Sequence, residues 1–436
     1  MSTSTIINTS YLPDILRKEL QFQYDKNTIM TKFANRDFEG ELKQAGDTVS
    51  VQEFPNLLFD VNTSSSAGGT ISTQTFATAK HDLVVNKLAQ AGVKVADLEE
   101  VRNNFDTKNS VSGRLAYELS QNHERHIANI MQQGAGTVIN NVAGAMTGGN
   151  APLAFTVSNV LAQLQKFGAA LEVENIDTSK AAMFIDPLTF ELIPRSTELI
   201  TNAKAVEIMT MSGRSYFGSI TTGFTGVEIN GVKVYKTNNL PYKNTLTIDT
   251  NGTANDTITV TLRDPRKKSN ETRDVTITWT CKANGTAAAA GEISIGAGGT
   301  ALVDFQASVR QAINGTGTAG ASNYIDVSAD NRKLLKYFEV SVSAFASNVA
   351  TIYANNKVVF AETLTAATNI FGTAGRALLA CVAGSTHFVD QMTRIKTTDG
   401  ELSFSANVLA ESAYQGAVLG QNKFGLVVNY AQVLSL

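Results

Sequence analysis

Residues 107–133, TKNSVSGRLAYELSQNHERHIANIMQQ, carry a helical pattern that is long for a globular protein. Asp106, Thr107 or Ser110 can cap its start, and Gly134 can end it. At about 1.5 Å per residue the helix is roughly 40 Å long, which indicates an element on which the rest of the fold is built. Its apolar face recurs at three- and four-residue intervals: Val111, Leu115, Leu119, His126, Ile127, Ile130 and Met131.

The stretch before this helix, residues 46–76, is GDTVSVQEFPNLLFDVNTSSSAGGTISTQTF. It begins as a strand, passes through an apolar cluster, reaches a Ser/Gly-rich tip and returns as a second extended run. Two strands alone cannot bury apolar side chains. We therefore expect an extended hairpin that contacts another subunit through Phe54, Leu57, Leu58, Phe59 and Val61.

The residues nearest the start of the chain predict a short amphipathic arm. Residues 12–27, LPDILRKELQFQYDKN, place apolar side chains at helical spacing, and Pro13 suits a first helical turn. The partner surface of this face lies elsewhere, and the predicted contact residues are Leu16, Leu20 and Phe22.

The centre of the chain predicts an α/β layer. Residues 158–171 have one apolar helical face, residues 181–187 (AAMFIDP) form a strand, and a helix is expected from Leu188. Residues 227–241 (VEINGVKVYKTNNLP) predict two strands, with Asn-Gly as the turn between them.

From about residue 244 the composition changes to Thr, Asn and Gly. Alternating patterns predict strands at 257–262, 275–281 and 337–345, and residues 301–314 predict a helix. We expect a compact β-rich module, inserted into the α/β layer and ending near residue 372. The chain after it returns to long strands.

Composition limits the function. The 436 residues are 43% hydrophobic and 17% charged, with a net charge of −3 and a pI near 5.9, so a chain-wide basic surface for nucleic acid is excluded. Cys281 and Cys381 are isolated, which favours a reducing compartment. The sequence has no signal-peptide pattern and no run of roughly 18 apolar residues for a membrane span, so we expect no membrane contact.

Catalytic motifs are weak. The cluster His123, Glu124, Arg125, His126 spaces its histidines three apart, whereas a zinc-protease helix needs four. The favoured interpretation is polar residues on a solvated or intersubunit helix face. The glycine runs lack a phosphate-loop ending, and no G-x-S-x-G elbow occurs. Residues 264–273, DPRKKSNETR, predict a basic hairpin tip, for which a solvated loop is favoured over an anionic partner. We predict no catalytic residue, metal site or cofactor.

In its order of parts the chain resembles the major capsid (coat) proteins of tailed bacteriophages, which have the Hong Kong 97 type fold, in the branch with an insertion domain. LPDILRKEL resembles the arm, AGDTVSVQEF to ISTQTFATAK the extended loop, and NSVSGRLAYELSQNHERHIANIM the spine helix. AAMFIDPLTFELI and GVEINGVKVYKTNNLP resemble the axial domain, and HFVDQMTRIKTTDGELSFSANVLAESAYQGAVLGQNKFGLVVNYA the closing strands.

The resemblance implies an α+β fold with six parts. They are an N-terminal arm (1–40), an extended loop hairpin (41–90), a peripheral domain with the spine helix (91–150), an axial domain (151–243), a β-rich insertion domain (244–372), and a return to axial and peripheral strands (373–436).

The function implied by the resemblance is self-assembly through pentamers and hexamers into an icosahedral shell that encloses double-stranded DNA. The expected location is the virion capsid, assembled in the host cytoplasm. Some relatives cross-link their extended loop through a lysine, but no lysine lies between Gln44 and Ala79, so we expect a non-covalent shell. Only about forty residues precede the loop, which predicts a separate scaffolding protein. Portal protein, packaged DNA and a decoration protein are the other expected partners.

Two alternatives remain open. An encapsulin-like bacterial nanocompartment shares the fold but encloses enzymes, and a gene neighbourhood with a portal and terminase would distinguish it. A phage tail or adhesin component is the other, although the long helix and the single insertion argue against it. An enzyme is the least favoured class.

Overall fold

The computed structural model of this chain describes residues 28–40, 48–53, 78–96, 107–139, 152–196, 224–267, 271–296, 298–365, 369–390, 394–399 and 405–432. Helices and sheets both contribute to its core, as expected for an α+β fold. The described α-helices are α1 (Thr107–Gly134), α2 (Val160–Val173), α3 (Pro187–Leu192), α4 (Ala301–Asn314) and α5 (Ala329–Tyr337).

The described strands fall into four sheets. They are β1 (Thr48–Glu53), β2 (Ala79–Val84), β3 (Lys87–Ala96), β4 (Thr137–Val138), β5 (Ala181–Ile185), β6 (Phe224–Ile229), β7 (Val232–Lys236), β8 (Tyr242–Thr247), β9 (Thr257–Arg263), β10 (Asp274–Lys282), β11 (Glu292–Ser294), β12 (Ser341–Val342), β13 (Val349–Ala354), β14 (Val358–Glu362), β15 (Ile370–Phe371), β16 (Gly375–Val382), β17 (His387–Asp390), β18 (Arg394–Asp399), β19 (Ser405–Ala417) and β20 (Leu426–Gln432).

Helix α1 has the length that its sequence predicts, and it packs on a sheet formed mainly from the end of the chain. In this peripheral sheet, β19 pairs antiparallel with β3 at one side and with β17 and β18 at the other. The register opposes Lys87 to Tyr414, and Tyr414 contacts α1. Ile127 and Met131 of α1 are buried against the main core. The predicted return of the chain to long strands therefore provides the surface on which α1 rests.

The main sheet follows the order β12-β13-β8-β16-β5-β7-β6, and β20 continues it from β16. Every residue of β5 is buried, as is typical of a strand covered on both faces. Asn230 and Gly231, both at positive φ, form the predicted turn between β6 and β7. Asp186 caps α3, and its carboxylate accepts the N–H of Thr189 at 3.3 Å. Phe167 of α2 and Phe184 of β5 are fully buried here.

The base of the predicted hairpin is an antiparallel pair. Thr48 of β1 lies opposite Val84 of β2, and Glu53 lies opposite Ala79. A hydrogen bond of 2.6 Å between His81 Nε2 and Glu53 Oε2 joins the two strands. Strand β2 leads almost directly into β3, so the hairpin base is continuous with the peripheral sheet. The turn between β1 and β2 lies outside the described residues.

The elements from β9 to β14, which we name the insertion module, have their own core. Strands β11, β10, β9 and β14 form one sheet, and α4 packs against it. Trp279 of β10 and Phe305 of α4 are fully buried there. Strands β12 and β13 of the module also continue the main sheet, because β13 pairs with β8, and Leu246 of β8 is buried in the module's core. The predicted strands 257–262 and 275–281 and helix 301–314 are all observed.

The strand predicted at residues 337–345 is wrong for most of its length. Helix α5 extends to Tyr337, and only Ser341–Val342 are strand. Ser328 caps α5, accepting the N–H of Asn331 at 3.4 Å. The helix places Leu334 and Leu335 in the module's core. The alternation after Phe338 resembles a strand, but it follows a turn in which Glu339 has a left-handed backbone, with φ of 48°.

Two expectations from the sequence stay predictions. The amphipathic arm with Leu16, Leu20 and Phe22 lies outside the described residues. The six part boundaries (1–40, 41–90, 91–150, 151–243, 244–372 and 373–436) are compatible with this order of elements but are not tested by it.

Cys381 is buried in the main core and Cys281 in the core of the insertion module. Labelling each thiol therefore reports the unfolding of its own core. We expect Phe305→Ala to lower the urea midpoint reported by Trp279 fluorescence and by Cys281 labelling, since a buried Phe-to-Ala change costs about 3–5 kcal/mol. The labelling midpoint of Cys381, in the main core, should stay unchanged. Phe167→Ala, in the main core, is the matched control. It should lower the labelling midpoint of Cys381 and leave that of Cys281 unchanged. Equal shifts of both thiols in both variants would show one cooperative unit and contradict this expectation.

Candidate functional site

The sequence cluster His123, Glu124, Arg125 and His126 is buried, with between 0% and 8% of each residue exposed. The prediction of a solvated or intersubunit helix face is therefore wrong. Since successive residues of an α-helix point about 100° apart, the four side chains face four directions. Together they bond the start of the described chain, the peripheral sheet and the end of α5, so this part of α1 is a junction inside the subunit.

Glu124 binds the start of the described chain. Its Oε1 accepts the backbone N–H groups of Ile29 at 2.8 Å and Met30 at 3.0 Å, and its Oε2 accepts that of Thr31 at 3.2 Å. The carboxylate thus caps the short 3-10 turn Met30–Lys32. Burial raises the pKa of Glu124, and the three N–H bonds oppose that rise.

His123 fixes α1 to the peripheral sheet. Its Nε2 lies 2.9 Å from Ser412 Oγ, and its Nδ1 lies 3.8 Å from Asp390 Oδ2. Burial lowers the pKa of His123, with Asp390 opposing, so the ring is neutral at pH 7. A Ser-His-Asp trio can serve nucleophilic catalysis, but Ser412 is fully buried and its hydroxyl bonds Asp390 at 3.1 Å. This trio has no access for a substrate.

His126 and its neighbours hold Glu339, which belongs to the insertion module. Gly416 N–H donates to His126 Nε2 at 3.3 Å, and His126 Nδ1 lies 2.8 Å from Glu339 Oε1. Lys87 of β3 also donates to Oε1, and Asn129 donates to Oε2 at 3.0 Å. One carboxylate therefore joins α1, β3 and the insertion module.

Burial disfavours the charged form of Glu339, but the bond from His126 and the charge of Lys87 outweigh burial and lower its pKa to about 2. The left-handed backbone of Glu339 is uncommon for a residue with a long side chain. The bonds to α1 and β3 hold it there.

Arg125 makes the second contact between α1 and the insertion module. Its Nη1 donates to the hydroxyl of Tyr337 at 2.6 Å, and its guanidinium lies 5.5 Å from the centre of that ring. Tyr337 and Glu339 are two residues apart, at the end of α5, so the module is attached at two closely spaced points.

A cleft of about 1060 Å³ opens beside this attachment. One wall is formed by residues 86–91 of the chain at the start of β3, and the floor by polar residues of α1, among them Asn122 and Asn129. The opposite wall is the insertion module, from Arg266 in the β9–β10 connection to the residues of α5.

The residues that the sequence predicted as inter-subunit contacts are not brought together by the described structure. All of them lie outside the described residues: Phe54, Leu57, Leu58, Phe59, Val61, Leu16, Leu20 and Phe22. The structure instead shows how both extended parts begin, at the β1–β2 base and at the segment bound by Glu124.

Sequence reasoning did not find Glu339 and Lys87. Glu339 is separated from His126 by 213 residues and from Lys87 by 252, and no local pattern links residues so far apart. The one available signal was the run of four polar residues within an apolar helix, which indicates buried partners as readily as solvent.

No protein-family profile and no curated protein matches the chain. Solved structures do match. A structure from Mycobacterium phage Che8 aligns with 96% of this chain and 97% of its own, at a TM-score of 0.51 and 13% identity. The capsid structure of the cyanophage P-SCSP1u aligns with 95% of this chain and 91% of its own, at a TM-score of 0.51 and 13% identity.

At this level of identity the likeness concerns the fold. The chain has the α+β fold of phage capsid structures, as the sequence analysis expected.

None of the described helices is long and apolar enough to cross a membrane. Within the described ranges, no three His, Cys, Asp or Glu side chains are placed to share a metal ion.

Replacing Glu124 tests its role as a cap. We expect Glu124→Gln to lower the free energy of unfolding by about 1–3 kcal/mol, because the amide turns a donor toward a backbone N–H. Trypsin should also cleave faster after Lys32 and Arg36. Glu118→Gln, which removes an exposed pair with Arg114 on the same helix, is the control and should change neither measurement. Equal proteolysis of both variants would argue against the cap.

Glu339 gives the subunit an acid-sensitive joint. Because its folded pKa of about 2 is below the ordinary value of 4.5, its contribution is fully present above about pH 5 and is lost as the pH falls toward 2. Glu339→Gln should lower the free energy of unfolding at pH 7 by about 2–3 kcal/mol. Urea unfolding followed by Trp279 fluorescence should show this difference narrowing between pH 5 and pH 3. Glu172→Gln, at an exposed site, is the control and should not change the free energy of unfolding. If the difference between Glu339→Gln and the unchanged protein did not vary with pH, the low pKa of Glu339 would be contradicted.

Proposed function

We propose that this chain is the major capsid protein of a tailed bacteriophage, which assembles with copies of itself into a closed shell. The observation that carries the proposal is the likeness to the cyanophage P-SCSP1u capsid structure, which extends over 95% of this chain. A likeness of nearly full length in both chains concerns the whole architecture, including the long helix and the two sheets beside it.

In this proposal the shell is icosahedral, is built from pentamers and hexamers of subunits with the Hong Kong 97 type fold, and encloses packaged double-stranded DNA without sequence specificity. Its place is the virion capsid, assembled in the host cytoplasm. A separate scaffolding protein, a portal protein and a decoration protein are the expected partners. The role is mechanical, so the residues that matter make contacts rather than perform catalysis.

The hairpin supplies one proposed contact between subunits. Its base is part of a folded unit, because β2 leads into β3 and Leu83 is buried with Val389 and Ala413. Its apolar residues Phe54, Leu57, Leu58, Phe59 and Val61 lie over an adjacent subunit. Each such side chain contributes about 1.5–3 kcal/mol before the cost of ordering the loop. One hairpin then supplies several kcal/mol, and the contact repeats around the shell.

The arm supplies a second proposed contact. Leu16, Leu20 and Phe22 cover another subunit, and the segment that follows is held by Glu124. Ile29 and Met30 are buried in the main core, so the arm is anchored to α1 at the residues that follow it. The net charge of −3 suits an inner surface that does not hold DNA tightly.

Assembly of the purified full-length protein tests the proposal. We expect negative-stain micrographs to show closed shells, and Phe54→Ser with Phe59→Ser to leave soluble subunits with at least about tenfold fewer shells, because two apolar contacts are removed per hairpin. The control is Thr63→Ala with Ser66→Ala, at the polar tip of the same hairpin, which should assemble normally.

The other outcomes separate the alternatives. Filaments or trimers in place of shells would overturn the capsid function and favour a tail or adhesin component. Shells that enclose protein and no nuclease-protected DNA, when isolated from their natural host, would favour the encapsulin-like function. Normal shell yield from the double Phe variant would contradict the hairpin contact while leaving the shell itself intact.

A further inference from the structure

The cleft beside α1 is bordered by a strand edge. In the peripheral sheet, β3 pairs with β19 on one side, and none of the described strands pairs with its other side. Backbone N–H and C=O groups of alternate β3 residues therefore face outward along this edge. Six consecutive residues, 86–91, line the cleft. Because alternate side chains of a strand point to opposite faces, an unbroken run of lining residues indicates that the edge of the strand borders the cleft.

Strand β3 carries two lysines, Lys87 and Lys94, which partly protect an edge from pairing, but it lacks other usual protections. Long open edges are normally shortened, bulged or interrupted by proline. Strand β3 is ten residues long, carries no proline and exposes Leu88 (56%) and Val93 (39%). Its exposed face also includes Gly92, where the backbone is not covered by a side chain of its own. Such an edge suits an added strand.

The opposite wall of the cleft is basic. Arg266 in the β9–β10 connection and Lys333 and Lys336 on α5 are exposed. Arg266 bonds Asp264, and Lys333 lies 3.7 Å from Asp330. Lys336 has no ion pair among the described residues.

Two further basic residues, Lys87 and Arg332, also line the cleft, against a single acidic lining residue, Glu339. Lys87 is held by Glu339. Arg332 is bonded to Asp326 and to the carbonyl groups of Ala312 and Ile313. Those two side chains are held inside the wall, so the exposed positive charge is that of Arg266, Lys333 and Lys336, the first two partly neutralised by Asp264 and Asp330.

We propose that this cleft binds an extended acidic segment of another protein, which adds a strand to the edge of β3 that no described strand pairs with and directs carboxylates toward Arg266, Lys333 and Lys336. Six residues of such a segment span about 20 Å, the length of the edge that lines the cleft. Backbone bonds supply affinity, and the basic wall selects the sequence. A nucleic acid would meet the same charges, but it has no peptide backbone to pair with β3, so the two features together favour a peptide.

This inference goes beyond the proposed shell function, because it concerns binding to the individual subunit. The probe is a fluorescein-labelled heptapeptide of alternating glutamate and valine, titrated by anisotropy against full-length protein. We expect Lys333→Gln with Lys336→Gln to weaken binding about three- to tenfold, as for the loss of two partly exposed ion pairs. Lys233→Gln with Lys357→Gln, at exposed sites outside the cleft, should leave it unchanged.

Two control peptides and one exchange experiment test the strand addition. Replacing each glutamate of the probe by glutamine should abolish selective binding, and proline in place of the central valine should weaken it, because proline cannot donate to a strand. Amide hydrogen exchange should slow in residues 87–91 when the probe is bound, and not in β18.

The proposal is overturned if the probe does not bind, if the glutamine peptide binds equally well, or if β3 gains no protection. Binding of a short DNA duplex with no binding of the probe would replace it by a nucleic-acid surface. Dimerisation of the free protein that the probe does not compete with would assign the β3 edge to a second copy of the chain. Failure of shell assembly leaves these outcomes unaffected, since each is measured on subunits.

Discussion

The subunit depends on one constraint: the polar side chains of α1 must be satisfied inside the chain. Glu124 is satisfied by the N–H groups at the start of the first described turn, and His126 by Glu339 of the insertion module. An unpaired buried carboxylate costs several kcal/mol, whereas an apolar contact can shift by a residue at small cost. The polar bonds therefore hold α1 in one arrangement relative to the peripheral sheet, the main core and the insertion module.

The same constraint explains how two hydrophobic cores keep a fixed position relative to each other within one subunit. The insertion module buries Trp279 and Phe305 in a core of its own and joins the main sheet through the β8–β13 pair. Leu246 of β8 is buried in the same core, and Gln306 of α4 donates to the carbonyl of Ile248 at 2.8 Å. Arg125 of α1 bonds Tyr337, and His126 of α1 bonds Glu339. These bonds attach the module to α1 in addition to the β8–β13 pair, and the added attachment restricts rotation of the module about that pair.

The fold was predictable from sequence where the signal is local. The periodicity of α1, the Asn230-Gly231 turn and the alternation in β9 and β10 each depend on a few neighbouring residues. The order of these elements was enough to indicate an α+β capsid fold. The α1 junction was not predictable, because the partners described for its four residues are 93 to 290 residues away, and a buried polar residue and an exposed one have the same sequence pattern. The strand expected after Phe338 failed for a related reason: the local alternation was overridden by the helix cap at Ser328 and by the turn at Glu339.

The attachment of the insertion module and the proposed use of the cleft are linked thermodynamically. A segment that pairs with β3 and also reaches Lys336 contacts both walls, and the distance between those walls is set by Glu339, which bonds Lys87 on one side and belongs to the module on the other. Such a segment binds more tightly to the attached module than to a detached one. Because coupling between two equilibria is reciprocal, the bound segment must stabilise the attachment by the same free energy. An acidic partner would then act on the shape of the subunit as well as occupy its surface.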